Sequence, residues 1–238
     1  MSEMLIKRSS VQSEVTSRLR NQIVEGVLRP GARLQERQLC EQFGISRSPL
    51  REAFQVLAAE KLIEISINKG AVVSAPTPEF TLQNFALLRA LELLAVKLTC
   101  RAADKTQLDG IYLAEQEMTS HADDKDLRGF FRANNEVHRR IVLAAANAPL
   151  ADAHLITSRQ IIRVQNLDGP LEHVPSEGVG EHDEIINALR DRKEALALAL
   201  FDAHLDTVEE NLRWRLMEFA SDSGKITRVR RSNATQHA

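Results

Sequence analysis

The sequence predicts a mainly α protein, an N-terminal winged helix-turn-helix followed by an all-α antiparallel helical bundle. Three observations carry this. In residues 1–76, three short amphipathic segments precede two strand-like runs joined by a turn triplet. Pro76-Thr77-Pro78 then makes a stiff, extended break in which neither helix nor strand continues easily, which sets a domain boundary after residue 76. Beyond it, apolar residues recur at three- and four-residue spacing, with few β-branched runs, over about 140 residues.

In the first domain Val11, Val15, Leu19 and Ile23 form one stripe of an amphipathic helix that ends near Gly26 and Pro30. A second helix fits Glu36 to Phe43, with Leu39 and Phe43 on one face and Gly44 placed to cap it in a left-handed conformation. Ser46 is a good N-cap for a third helix, Pro49 is tolerated in its first turn, and Leu50, Phe54 and Leu57 make its apolar stripe. Arg47, Ser48, Arg51 and Gln55 stand largely clear of that stripe, offering donors to phosphates and guanine edges in a major groove. Leu62–Ser66 and Ala71–Ser74 read as two strands joined by Asn68-Lys69-Gly70, a wing with a cation at its tip. The arginines taken singly read equally well as solvated side chains; the whole constellation favours double-stranded DNA as partner.

Charge is divided along the chain. Residues 1–76 carry 11 Lys+Arg against 8 Asp+Glu, residues 77–220 carry 16 against 24, and residues 221–238 carry 4 against 1. The first segment is therefore the part suited to approach phosphate, and the middle a separate unit. No apolar run reaches the roughly 20 residues of a membrane span and the start lacks a signal-peptide core, so no membrane partner and a cytoplasmic location are expected. Cys40 and Cys100 are far apart and read as free, buried thiols. Predicted helices of the second domain are Glu79–Ala103, Lys105–Ala122, Leu127–Ala146, Leu150–Asp168, Gly180–Arg190 and Arg192–Ala220, with one long irregular connection, Gly169–Val179. Residues 221–238, with Lys225, Arg228, Arg230 and Arg231 and little apolar content, read as a disordered basic tail.

The stretch Ser46-Arg47-Ser48-Pro49-Leu50-Arg51-Glu52-Ala53-Phe54, within the run from Leu34 to Ser74, resembles the DNA-binding domain of the GntR family of transcriptional regulators. That resemblance implies that Arg37, Arg47, Ser48 and Arg51 contact DNA and that Lys69 and Gly70 at the wing tip approach the minor groove. Glu52 supports the helix. A single winged helix reads few base pairs, so a homodimer on a palindromic operator is expected.

His138, His182 and His204 fall in three different predicted helices. A lone helical histidine is usually a surface or satisfied core residue. Here Asn134 to Arg140, Glu181 to Leu189 and Ala203-His204-Leu205 resemble the three signature stretches of the FCD domain, the C-terminal partner in the FadR-like branch of GntR regulators. The resemblance implies an effector-binding and dimerisation domain over residues 77–220 and a divalent metal, zinc or nickel, held by an Asp and three His. Carried onto this chain, the resemblance implies Asn134, His138, His182 and His204 as the ligand set, with Asn134 where the family has Asp; a neutral oxygen binds a cation more weakly, and structural histidines in a metal-free pocket are the alternative. The resemblance also puts Arg89 on the first helix of the domain, facing the pocket, where its fork suits a small carboxylate effector. Judged without the family, Arg89 reads as an ion pair with Glu92. These features imply a ligand-responsive regulator, a repressor released by its inducer, with a metal-responsive regulator as the alternative. A metal-dependent hydrolase using the three histidines is a third reading, but it lacks a placed general base and leaves the winged helix unexplained.

Overall fold

The computed structural model describes the backbone of residues 6–66, 70–167 and 176–235, and the side chains of residues 11–66, 70–167 and 180–221. Two compact units divide the chain, Met1–Thr77 and Pro78–Ala238.

In the first unit, α1 (Ile6–Val24) buries Val15, Leu19 and Ile23 of the stripe its spacing predicts, while Val11 at the start of that stripe is exposed. Following it are β1 (Arg33–Leu34), α2 (Glu36–Phe43), α3 (Arg47–Ala59), β2 (Ile63–Ser66) and β3 (Gly70–Val73). The strands form an antiparallel sheet in the order β1-β3-β2, with Leu34 opposite Ala71 and Glu64 opposite Val72. The two predicted wing strands are present, each shifted by about one residue as strand ends commonly are. β1 is an addition, since two residues carry no readable alternation and pair only because β3 lies beside them. Ser46 caps α3 through its extended backbone, without the side-chain hydrogen bond its identity suggests. Leu50, Phe54 and Leu57 pack with Leu19, Ile23 and Leu62 in the core of this unit. A two-bond pair from Arg20 to Glu60, at 2.7 and 2.6 Å, ties α1 to the end of α3.

The second unit is a helical bundle: α4 (Pro78–Ala102), α5 (Lys105–Asp123), α6 (Leu127–Ala144), α7 (Ala148–Gln165), α8 (Ser176–Arg190) and α9 (Glu194–Thr235). Local chemistry sets its boundaries. Asp104 and Gln107 close a reciprocal capping box at the start of α5, while Asp126 and Asn147 accept backbone N–H bonds that open α6 and α7. Phe85, Ile111, Val137, Ile141, Ile185 and Phe201 lie in one continuous core. Two arginines cap helix C-termini. Arg192, left-handed at φ 58°, donates to the carbonyls of Thr99, Cys100 and Ala103 at the end of α4, and Arg215 on α9 donates to those of Gln165 and Leu167 at the end of α7. In each case a cation meets the negative end of a helix.

Two expectations need correction. α8 begins at Ser176 rather than Gly180, and α9 continues to Thr235 instead of ending at Ala220 and giving way to an irregular tail. Residues 221–235 hold no proline to stop the helix, so its hydrogen-bond ladder continues where low apolar content suggested otherwise. Cys100 is buried and Cys40 only partly so; both are free thiols. Among the described residues no helix is long and apolar enough to cross a membrane.

Gly44 ends α2 at φ 65° and ψ 36°, its N–H bonded to the Cys40 carbonyl, and a Cβ there would meet no neighbour. The cost of a side chain is therefore conformational alone. Gly44→Ala is expected to destabilise the first unit by about 1–2 kcal/mol, and Gly44→Asn by less, as read from denaturant unfolding. Equal stability of all three proteins would contradict this.

Candidate functional site

The surface of α3 opposite its core stripe exposes Arg47, Ser48, Arg51 and Gln55. Glu36, the first residue of α2, accepts both Nε and Nη2 of Arg51 at 3.0 Å. This bond, outweighing a slight burial, holds the Glu36 carboxyl below its ordinary range, and Arg47 adds to the pull. Arg47 and Arg51 therefore share one acidic neighbour. Ser48 donates to Glu52 at 3.3 Å, and exposed Arg37 lies 3.7 Å from Glu41 one turn on. Gly70 is exposed with φ 69°, at the start of β3, while Lys69 lies outside the described residues. Thus Arg47, Ser48 and Arg51 share one exposed helix face, with Arg37 next to the glutamate that binds Arg51.

In the second unit α6, α8 and α9 bring His138, His182 and His204 together. All three are buried, and one ring nitrogen from each lies within 4.8 Å of the others. His138 Nε2 and His204 Nε2 are 3.3 Å apart. The opposite ring edges face carboxylates: His138 Nδ1 lies 3.0 Å from Glu92 Oε2, and His204 Nδ1 lies 2.7 Å from Glu181 Oε2. The second oxygen of Glu92 is 2.8 Å from His154 Nε2, on α7, and that of Glu181 accepts from Thr207 at 3.1 Å. Burial raises the cost of charge on Glu92, yet His138 and His154 overcome it and bring its pKa down to about 2. Burial, reinforced by His138 and opposed by Glu92, pushes His204 down to about 3.

In the neutral tautomers with N–H on Nδ1 of His138 and of His204, each directed at its carboxylate, the two Nε2 lone pairs face each other at a separation that a cation between them can bridge. With His182 beside them, the buried imidazoles fit a divalent transition ion of the zinc or nickel type, and their carboxylate backing is the arrangement that orients metal-bound histidines. Asn134 is buried on α6, one turn before His138.

Arg89 does not pair with Glu92. Its guanidinium lies 2.7 Å from Asp202 and 2.6 Å from Asp206, both on α9, while Glu92 turns to the histidines. The i,i+3 reading failed because a buried carboxylate is held by the donors around it in the core rather than by a half-exposed neighbour on its own helix. The sequence suggests Glu92 only as a partner of Arg89 and gives His154 and Glu181 no role of their own. For the first two a signal existed: Glu92 interrupts the stripe Phe85, Leu88, Ala95, Val96, and His154 interrupts Leu150, Thr157, Ile161, Val164, each a polar residue at a core position.

A pH dependence follows. Glu92, held at about 2 against an ordinary 4.5, contributes stability that is present above pH 4.5 and lost as the pH falls toward 2. His204, near 3 against 6.5, stays neutral in the fold while the unfolded chain takes up a proton, so stability also falls between pH 6.5 and 3. Chelator-treated protein is expected to lose a few kcal/mol of unfolding free energy between about pH 7 and 4, and His204→Gln to flatten the upper part of that slope. An unchanged slope in the variant would exclude His204 as its source.

Comparison with known proteins places both units. Residues 11–73 match the bacterial regulatory proteins of the gntR family, and residues 83–207 match the FCD domain. The chain is 31% identical over 189 residues to a probable D-xylose utilization operon transcriptional repressor of Paenarthrobacter nicotinovorans, covering 77% of this chain and 80% of that protein. It is 28% identical over 206 residues to YdhC, an HTH-type transcriptional regulator of Bacillus subtilis (strain 168), covering 85% and 91%. The fold matches the crystal structure of a GntR transcriptional regulator from Rhodococcus sp. RHA1 with a TM-score of 0.73 at 24% identity, covering 85% of this chain and 97% of that one. With a winged helix-turn-helix joined to an FCD helical domain, this chain belongs to the GntR family of DNA-binding transcriptional regulators, and not to a family of enzymes.

Proposed function

We propose that this chain is a homodimeric repressor whose hold on a palindromic operator is controlled by a small organic acid bound near a divalent metal in the helical unit. The observation that carries the reading is the buried group of His138, His182 and His204, two of whose rings are backed by carboxylates. Those three nitrogens, with the Asn134 carbonyl as a neutral fourth donor, would hold zinc or nickel; the ion would supply an open position for a carboxylate oxygen. Arg89 is the proposed second contact of the acid. To reach it, the ligand would exchange with Asp202 and Asp206, the carboxylates that now engage the guanidinium.

On the DNA side, Arg47, Ser48 and Arg51 on the free face of α3 would enter the major groove. Arg37 would take a phosphate, and Lys69 and Gly70 of the wing the minor groove. The effector alters operator affinity only as far as it binds the DNA-competent and DNA-incompetent arrangements unequally. The metal-responsive alternative is favoured by the neutral donor set, which binds a cation less tightly than one containing a carboxylate. Operator binding that tracks free zinc over a graded range supports that alternative; a fixed ion with a response to organic acids supports the proposal.

The test uses full-length protein and a duplex chosen from random sequences. Native mass spectrometry should show a dimer carrying metal, and an organic-acid screen should find ligands that release the duplex; a monomer, or no release by any acid, would count against the reading. Arg51→Ala should cost about 1–3 kcal/mol at the selected site if this side chain reads a guanine. Equal weakening on all sequences, with a salt slope reduced by about 1, would assign it to phosphate instead. His182→Ala should lower metal content in elemental analysis and leave the first unit folded. Metal retained at the wild-type ratio would remove His182 from the ligand set.

A further inference from the structure

Both oxygens of Glu92 are occupied, and by different helices. Oε2 faces His138 Nδ1 on α6 at 3.0 Å, and Oε1 faces His154 Nε2 on α7 at 2.8 Å. All three side chains are at least nine-tenths removed from solvent: that of Glu92 is 3% exposed, that of His138 9% and that of His154 6%. No water-facing partner is therefore at hand if one member of this chain is lost.

We infer that His154 is a positioning residue of the histidine centre, acting through Glu92 to fix the ring orientation and the free Nε2 of His138. The inference rests on the proposed metal site and extends it to α7, which supplies none of its ligands. A carboxylate anchored at one oxygen can turn about its terminal torsion; anchored at both, it can present Oε2 to Nδ1 in one direction only. In the neutral ring, Nδ1 so held as a donor leaves Nε2 its lone pair, on the side that faces His204. His154 holds no place in the centre itself, since the cluster whose nitrogens converge consists of His138, His182 and His204. An apolar side chain at this position of α7 would leave the buried Oε1 of Glu92 without the donor that now faces it.

The experiment measures zinc affinity of metal-stripped, full-length protein by competition with a chromophoric chelator. Compared are the wild type, His154→Met, which keeps bulk without a donor, and His154→Gln, whose amide nitrogen can still donate to Glu92. His154→Leu serves as a second donor-less protein should the methionine variant fail to fold. Loss of an outer partner of a metal-bound histidine weakens binding by about 10–100-fold. That loss is expected in the donor-less variants, with the glutamine variant close to wild type. Unchanged affinity in a folded donor-less variant, even one of lower thermal stability, would overturn the role and reduce His154 to a packing residue. Equal weakening in the glutamine variant would overturn it too, because the donor would not be the cause. A wild type that binds no zinc would instead overturn the metal site itself, and the inference with it.

Discussion

A carboxylate withdrawn from water must be surrounded by donors, and the helical unit is organised around meeting that requirement at Glu92. Desolvation alone would drive this side chain to the neutral form; two imidazoles reverse the outcome and keep it charged. The consequence spreads outward. Because Glu92 accepts at both oxygens, α4, α6 and α7 meet at a fixed point, and because His138 spends one nitrogen on that contact, its other nitrogen is left to face His204. On the far side Glu181 performs the same service for His204, itself steadied by Thr207. Buried polar networks of this sort are stable only when every member is satisfied, which makes them sensitive to single changes.

The winged unit follows a different logic, in which one face of each helix is given to the core and the other to charge. α3 hides Leu50, Ala53, Phe54 and Leu57 and leaves its arginines outside. Arg51 is held by Glu36, which also feels the charge of Arg47, so the exposed basic face of α3 carries an internal counter-charge. An exposed pair of this kind is worth little to stability, and exchange of partners across it is correspondingly easy.

Much of this was legible in the sequence, and what was missed has a common physical origin. Period and punctuation revealed α1 to α3, the wing, the break at Pro76-Thr77-Pro78 and the helices of the bundle, because each depends on residues close in the chain. The convergence of His138, His182 and His204 is long-range; it was reached through resemblance to a family, not through spacing. Glu92 was noticed only as a helical neighbour of Arg89, and Arg89 instead reaches two aspartates more than a hundred residues away on α9. No local rule forecasts such a pairing. β1, two residues long, exists only by virtue of its partner strand, and the extension of α9 beyond Ala220 shows that sparse apolar content does not by itself end a helix.

The arginine caps bear on how the helical unit comes apart. At the ends of α4 and α7, where a glycine would merely turn the chain, Arg192 and Arg215 bind the terminal carbonyls from the segment before α9 and from α9 itself. Fraying at either end then cannot proceed as a private event of one helix, since it strands a guanidinium belonging to another part of the bundle. Opening is thereby made collective, and the helices that carry Glu92 and His154 share the fate of the helix that carries His204.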